Sequence, residues 1–381
     1  MLDPPATAPL TASLPSPERS PAARGSAARS RRPRGRGSSL VSTPDDDRGP
    51  TASLGSFRAR DGSPGAPCRL DLDRPHAALV VGKRGYGKSY TLGVLAEELA
   101  RTTGVAPVVV DPMGVFGGLA FGADEVDAAV VESPAVRADA VPPRAWCGLL
   151  DLSPSSGPGA LVWRAAADAE SLSGMRAAVE AVDAAAEHRR SALNHLELAS
   201  TWGVFSPDGL TAADLLDGAA TVLDVSENSE AAMNAVVRAV AVGLYDARVA
   251  DAADRLPWLL VDEAHAFFEG VAGPALRRVL TRGRHPGVSL VTATQRPSAL
   301  PGVAVSQADL VLAHRLTSRA DRDALEAARP AYMGASFGER TPTDPGEVTL
   351  VDDATEAVHA VRVRERDTPH GGASPRASEQ S

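Results

Sequence analysis

Lysine is almost missing from this chain. Only Lys83 and Lys88 occur among 39 basic residues, and every other fixed cation is arginine. Cysteine is limited to Cys68 and Cys147. Two cysteines make no disulfide framework, and they lack the spacing of a zinc site. A reduced, cytoplasmic setting is therefore the expectation. No stretch reaches the roughly 18 consecutive apolar residues that a spanning helix needs, so no membrane partner is expected. Met1-Leu2-Asp3-Pro4-Pro5 lacks the basic-then-apolar layout of a signal peptide.

Aromatic residues are scarce as well, at 4% of the chain. The first 66 residues hold Pro, Ser, Ala, Gly and Arg in place of core formers, which predicts a disordered tail over 1–66. Residues 19–36 are Arg- and Ser-rich, as organelle transit peptides are, but plain disorder or an upstream-set start fits better with the prokaryotic character of the rest. Residues 1–65 carry 10 Arg against 6 acids, and the remainder carries 29 Lys and Arg against 42 acids. The body is thus acidic, near −13. An acidic, lysine-poor composition suggests a GC-rich genome and a high-salt cytoplasm, where net charge keeps protein in solution despite screening. It also offers no broad basic face to nucleic acid.

Both lysines fall in one eight-residue stretch, Gly82-Lys83-Arg84-Gly85-Tyr86-Gly87-Lys88-Ser89, which satisfies G-x-x-x-x-G-K-[ST] at every fixed position. The apolar run 77–81 precedes it and a helical pattern follows, so the loop lies between a buried strand and a helix N-terminus. Glycines let backbone N–H groups converge on phosphate oxygens. Lys88 is the candidate for the β- and γ-phosphates and Ser89 for Mg²⁺. A dinucleotide fingerprint fits less well, because Tyr90 stands where the third glycine belongs. The cofactor-binding candidates are Gly82, Lys83, Arg84, Gly85, Tyr86, Gly87, Lys88, Ser89 and Tyr90, for ATP with Mg²⁺. Lys88 persists where a slim point charge must enter the phosphate nest. Lys83 has no such reason.

Downstream the pattern is strand and helix in alternation. The run 106–111 reads as a parallel strand, and Asp111-Pro112-Met113-Gly114 turns away at the sheet edge where ligands bind, making Asp111 a further candidate. Residues 122–165 read only as short strands and loops, and 166–202 as a helical insertion of two helices. The run 219–225 reads as a central strand, and Ser229 as the cap of a helix whose Met233, Val236, Val237, Val240 and Leu244 share one face. Trp258-Leu259-Leu260-Val261-Asp262-Glu263 is an apolar strand ending in two acids. Beside a complete phosphate loop this predicts Asp262 as a metal ligand and Glu263 as the base for the attacking water. Residues 288–295 form another strand, ending at Gln295, which would orient water or sense the γ-phosphate. Arg277, Arg278, Arg282 and Arg284 lie on a helix and its exit, where one could act on a neighbour's nucleotide. Gly334-Ala335-Ser336-Phe337-Gly338 matches a hydrolase elbow but lacks the preceding apolar strand.

These motifs, with Thr294-Gln295-Arg296-Pro297-Ser298 and Gly283-Arg284-His285-Pro286-Gly287, resemble the HerA/FtsK group of P-loop ATPases over about 70–365, nearest the HerA central domain. The resemblance implies an α/β, RecA-like fold with a mostly parallel sheet spanning 67–366, interrupted by the helical insertion 166–202; the composition of 367–381 predicts a disordered tail. It implies a homo-hexamer that hydrolyses ATP and moves duplex DNA, with Arg284 acting across the subunit interface and Gln295 on the sensor strand. Two departures stand out. No β-barrel precedes the loop, which argues against a nuclease partner, and Val115 stands where the family often has an acid. Asp262-Glu263-Ala264-His265 also spells the helicase DEAH box, but its distance from Lys88 is too long for those cores. An ATP-dependent assembly switch and a conjugation or packaging motor are the alternative functions.

Overall fold

In the computed structural model, residues 41–42, 49–59, 61–121, 126–218, 220–327 and 342–372 are described. Twelve strands form one sheet: β1 (Val41–Ser42), β2 (Thr51–Arg58), β3 (Pro64–Asp71), β4 (Ala77–Val81), β5 (Val105–Asp111), β6 (Ala128–Val131), β7 (Ala220–Asp224), β8 (Leu256–Val261), β9 (Ser289–Thr294), β10 (Leu310–Ala313), β11 (Glu347–Asp352) and β12 (Ala357–Val363). Their order is β1-β3-β2-β12-β11-β10-β4-β9-β8-β5-β7-β6. The seven strands from β10 to β6 run parallel, and the remainder pair antiparallel. The fold is α/β and RecA-like, with the mostly parallel sheet expected from the sequence.

The parallel strands are near-continuous Val, Leu and Ala runs because both of their faces are covered. One face carries Leu79, Val108 and Leu259 into a core with the helix Glu230–Val249. The other carries Val80, Val109 and Leu260 into a core with the helix Lys88–Ala100. Parallel pairing places every strand's C-terminus along one edge. Asp111 thus pairs with Asp224, and Val261 with Thr292. The acid-bearing strand β8 and the loop-bearing strand β4 are separated by β9 alone. Ser229 caps its helix as expected, accepting from the Ala232 N–H.

Three boundaries differ from those read in the sequence. Residues 51–66 lie largely in β2 and β3, with Ala52 and Leu54 buried, so the tail does not run to residue 66. Small polar residues alternate with these few apolar ones and conceal a strand that buries one side. Residues 1–40, 43–48 and 60 of that tail and the Gly334–Gly338 motif lie outside the described residues. The helical insertion starts earlier and is larger, with helices Pro143–Leu149, Gly157–Asp168, Leu172–Ala181 and Ala186–Thr201 around Trp146, Met175 and Leu196. Ser156 and Ser171 cap the second and third of these helices through the N–H groups of Gly159 and Gly174. At the other end, Thr368 is buried, so the chain stays packed beyond residue 366. Among the described residues, no helix is long and apolar enough to cross a membrane.

Trp146 centres the helical unit. It is fully buried, donates from its indole N–H to the Ala138 carbonyl at 3.0 Å, and lies 4.6 Å from the Phe205 ring. Trp146→Ala is expected to cost about 3–5 kcal/mol in urea denaturation, because it removes packing and orphans a carbonyl together.

Candidate functional site

The phosphate loop leaves β4 through three glycines in positive-φ backbone, Gly82, Gly85 and Gly87. Crowding decides the first: a Cβ on Gly82 would come 2.5 Å from the Cβ of His314. Gly87 hands the chain directly to the helix Lys88–Ala100. The N-terminal N–H groups of that helix and its dipole therefore point toward the loop, as an anion site requires.

Lys88, Ser89, Asp262 and Glu263 meet at the C-terminal edge of the sheet. Ser89 Oγ donates to Asp262 Oδ2 at 2.6 Å. Asp262 is fully buried and also accepts from the Glu263 N–H at 2.9 Å. Lys88 is buried, and its ammonium is held below its usual range by desolvation, against the pull of Glu263 and Asp262. Glu263 is raised, first by burial and then by the Asp262 charge; Lys88, Arg84 and the Gln295 backbone oppose the shift. Its φ is +44°, a strained value for a residue with a side chain. The Glu263 Oε2 atom is buried and accepts no hydrogen bond among the described residues. A serine hydroxyl beside a carboxylate is a hard oxygen pair that suits Mg²⁺.

Other candidates fall differently. Arg84, Gly85 and Tyr90 line a cavity of about 680 Å³ with Lys88, Ser89 and Glu263. Lys83 is exposed, and its ammonium lies 5.9 Å from the centre of the Tyr86 ring, which Arg315 also approaches at 5.8 Å. Asp111 does not face the cavity. It is fully buried and accepts from the Met113 and Phe116 N–H groups at 3.1 and 2.8 Å, closing its own turn. A carboxylate beside two unpaired amides satisfies them before it can reach a ligand. Met113 and Val115 from that turn line the cavity in its place. Gln295 approaches Glu263 through its backbone amide. Arg284 sits at the other edge of the sheet, paired at 2.8 Å with Asp309, which in turn accepts from the Ala77 N–H at the start of β4. Within one chain it does not reach the phosphate loop.

Two histidines near the reactive groups escape a reading of the sequence. His265 lies 3.1 Å from Thr294 Oγ1 and 3.4 Å from Glu263 Oε2 through Nδ1. His314 underlies the loop with Nε2 3.0 Å from Thr91 Oγ1, and burial depresses its pKa to about 4, which keeps it neutral beside Lys88. Each directly follows or closely trails a strand end, the one signal that points toward them.

Residues 53–241 match the family model described as the central domain of the helicase HerA. Over these residues the chain is similar to that family. The matched HerA-type segment contains the phosphate loop and ends before Asp262 and Glu263. No curated protein matches the chain. Among solved structures, VirB4 of Thermoanaerobacter pseudethanolicus aligns with TM-score 0.60 at 16% identity, covering 85% of this chain and 98% of that one. The bacterial conjugative coupling protein TrwB, lacking 70 N-terminal residues, aligns with TM-score 0.54 at 16% identity, covering 83% and 91%. At such identities the likeness speaks to the fold around the HerA-type segment.

The raised Glu263 gives a stability test. A raised carboxyl favours the folded chain when protonated and penalises it once ionised, so its contribution is lost as pH climbs through the folded value. Glu263→Gln is expected to melt higher than wild type at pH 7. The advantage should fade as the pH falls toward the ordinary value of 4.5. Calorimetry at pH 4.5 and pH 7 measures it.

Proposed function

We propose that this chain is a Mg²⁺-dependent ATPase of the HerA/FtsK type that works as an oligomeric motor on DNA. One observation carries the reading: the Ser89–Asp262 hydrogen bond, with Lys88 and Glu263 at the same sheet edge. The loop amides and Lys88 bind the phosphates, Lys88 acting as a point charge in a desolvated nest. Mg²⁺, held by Ser89 and Asp262, supplies charge neutralisation on the phosphate oxygens when bound. Glu263 takes the proton of the attacking water, and its raised pKa suits a base that must accept a proton near neutral pH. The Gln295 backbone, just past β9, borders that base, and Thr294 at the end of β9 reaches His265.

The hexamer and the duplex-DNA cargo rest on the HerA family match and on the likeness to a conjugative coupling protein. Arg284 is proposed to complete a neighbouring subunit's site, since its 68% side-chain exposure leaves it presentable while Asp309 holds it. A switch that binds ATP and turns over slowly is the second reading. It is favoured by the same Arg284, which within one chain lies at the opposite sheet edge from the phosphate loop.

Turnover of ATP, measured with and without duplex DNA at low and molar KCl, tests these roles. Lys88→Ala and Glu263→Gln should each reduce turnover about 100-fold or more, with ATP binding lost in the first and kept in the second. Arg284→Ala should reduce turnover only under conditions where subunits assemble. Full turnover in Lys88→Ala would refute the nucleotide assignment, and DNA-indifferent turnover would select the switch.

A further inference from the structure

Beyond β12 the chain does not leave the domain. Residues 364–372 fold back over the helix Lys88–Ala100, and a single carboxylate gathers them. Glu97, fully buried in that helix, accepts from Thr368 Oγ1 at 2.6 Å, from the Thr368 N–H at 2.9 Å and from the Asp367 N–H at 3.1 Å. It also receives the Arg364 guanidinium at 2.8 Å and faces Arg366 Nε at 3.5 Å. A buried carboxylate is tolerable only when so fully satisfied. The arrangement also explains Gly93, a residue that weakens a helix interior by roughly 1 kcal/mol. A Cβ there would lie 2.6 Å from the Arg366 guanidinium carbon, so the glycine opens the slot that this side chain occupies.

Arg366 passes the restraint on to two aromatic rings. Its backbone N–H donates to the Tyr90 hydroxyl at 2.6 Å, and its side-chain Nη1 lies 3.2 Å from His370 Nδ1. A guanidinium has donors only, so His370 Nδ1 must accept, and a neutral ring then carries its proton on Nε2. Burial and Arg366 both hold His370 below its usual pKa, in keeping with that neutral form. The two rings meet edge to face, with centroids 5.4 Å apart and planes at 80°. Tyr90 and His370 line the 680 Å³ cavity that also reaches Lys88 and Ser89, and Met113 and Val115 share its lining. A cavity of this size, lined both by Tyr90, His370, Met113 and Val115 and by charged groups that include Arg84, Lys88 and Glu263, matches a nucleoside triphosphate in extent and in mixed polarity.

We propose that residues 364–372 form a nucleobase clamp, in which Tyr90 and His370 hold the base of the nucleotide whose phosphates rest on Gly85–Ser89, with Glu97 and Arg366 fixing both rings in place. This rests on the nucleotide-site reading above and adds to it the part of the ligand that the phosphate loop cannot recognise. Tyr90 and His370 are the base-contacting residues, and Glu97 and Arg366 are positioning residues.

The test separates base from phosphate. Binding of ATP and of inorganic tripolyphosphate is measured by calorimetry on the full chain, for wild type, Tyr90→Ala, His370→Ala, Glu97→Gln and Lys88→Ala. The clamp requires that wild type bind ATP at least ten-fold more tightly than tripolyphosphate. It also requires that His370→Ala and Tyr90→Ala each lose about ten-fold for ATP and keep tripolyphosphate affinity unchanged. Lys88→Ala should lose both ligands. Glu97→Gln should reproduce the ATP-specific loss and expose the amides of 366–370 to hydrogen exchange. Because Glu97→Gln strands Arg366 and can unfold the chain, the two ring variants are the decisive ones. Equal affinity of wild type for the two ligands, or ring variants that weaken both alike or neither, overturns the clamp and leaves the phosphate site standing. Wild type that binds neither ligand overturns both.

Discussion

Ser89 and Asp262 are 173 residues apart in sequence and 2.6 Å apart in space, and that contact depends on the parallel sheet. Parallel strands send all their C-termini to one edge, so a hydroxyl at the end of a β4 loop and a carboxylate at the end of β8 can meet across β9. The meeting concentrates charge where water is scarce. Lys88, Asp262 and Glu263 are all shifted or buried there, with the Lys88 ammonium offsetting two carboxylates and Asp262 disfavouring the charge of Glu263. Glu263 adds a strained backbone, at a cost of about 1–3 kcal/mol that the surrounding packing must offset. The site is therefore held in tension by the fold, with reactive groups kept desolvated before any ligand arrives.

The same constraint governs the second landmark. Glu97 is a carboxylate with no access to water, and it draws five groups from one segment toward itself. Replacing any one of them leaves a polar group unsatisfied, which is why a short stretch without regular secondary structure can keep one conformation. The cavity wall then inherits its shape from an ion pair in the helix behind it.

How much of this is legible in the sequence follows from how local each signal is. β4, β5, β7 and β8 announce themselves as largely apolar runs closed by glycine or acids, and β9 as one closed by Thr294 and Gln295, because strands covered on both faces need no polar alternation. The phosphate loop and the two acids are legible for the same reason. β2 is not: Thr51-Ala52-Ser53-Leu54-Gly55 buries only alternate residues, and the pairing register shifts at Gly55. The serine caps of the helical unit are present as letters, but Pro and Gly beside them read equally as loop. For Asp111 the pattern gives the correct sheet edge and the wrong direction, since the choice between a ligand and its own turn amides is made by side-chain geometry. The segment after β12 is illegible because its partners lie some 267–271 residues upstream, beyond any local pattern.

Arg284 and the phosphate loop occupy opposite edges of one sheet, since Asp309 and Ala77 mark where β10 and β4 begin and the loop marks where β4 ends. That polarity restricts the assemblies this chain can use. A two-fold dimer that pairs one edge with its own copy would bring arginine to arginine and loop to loop. An Arg284 that meets another subunit's phosphates needs one edge set against the other, which a head-to-tail contact provides. Repeated, such a contact either closes into a ring or runs on as a filament.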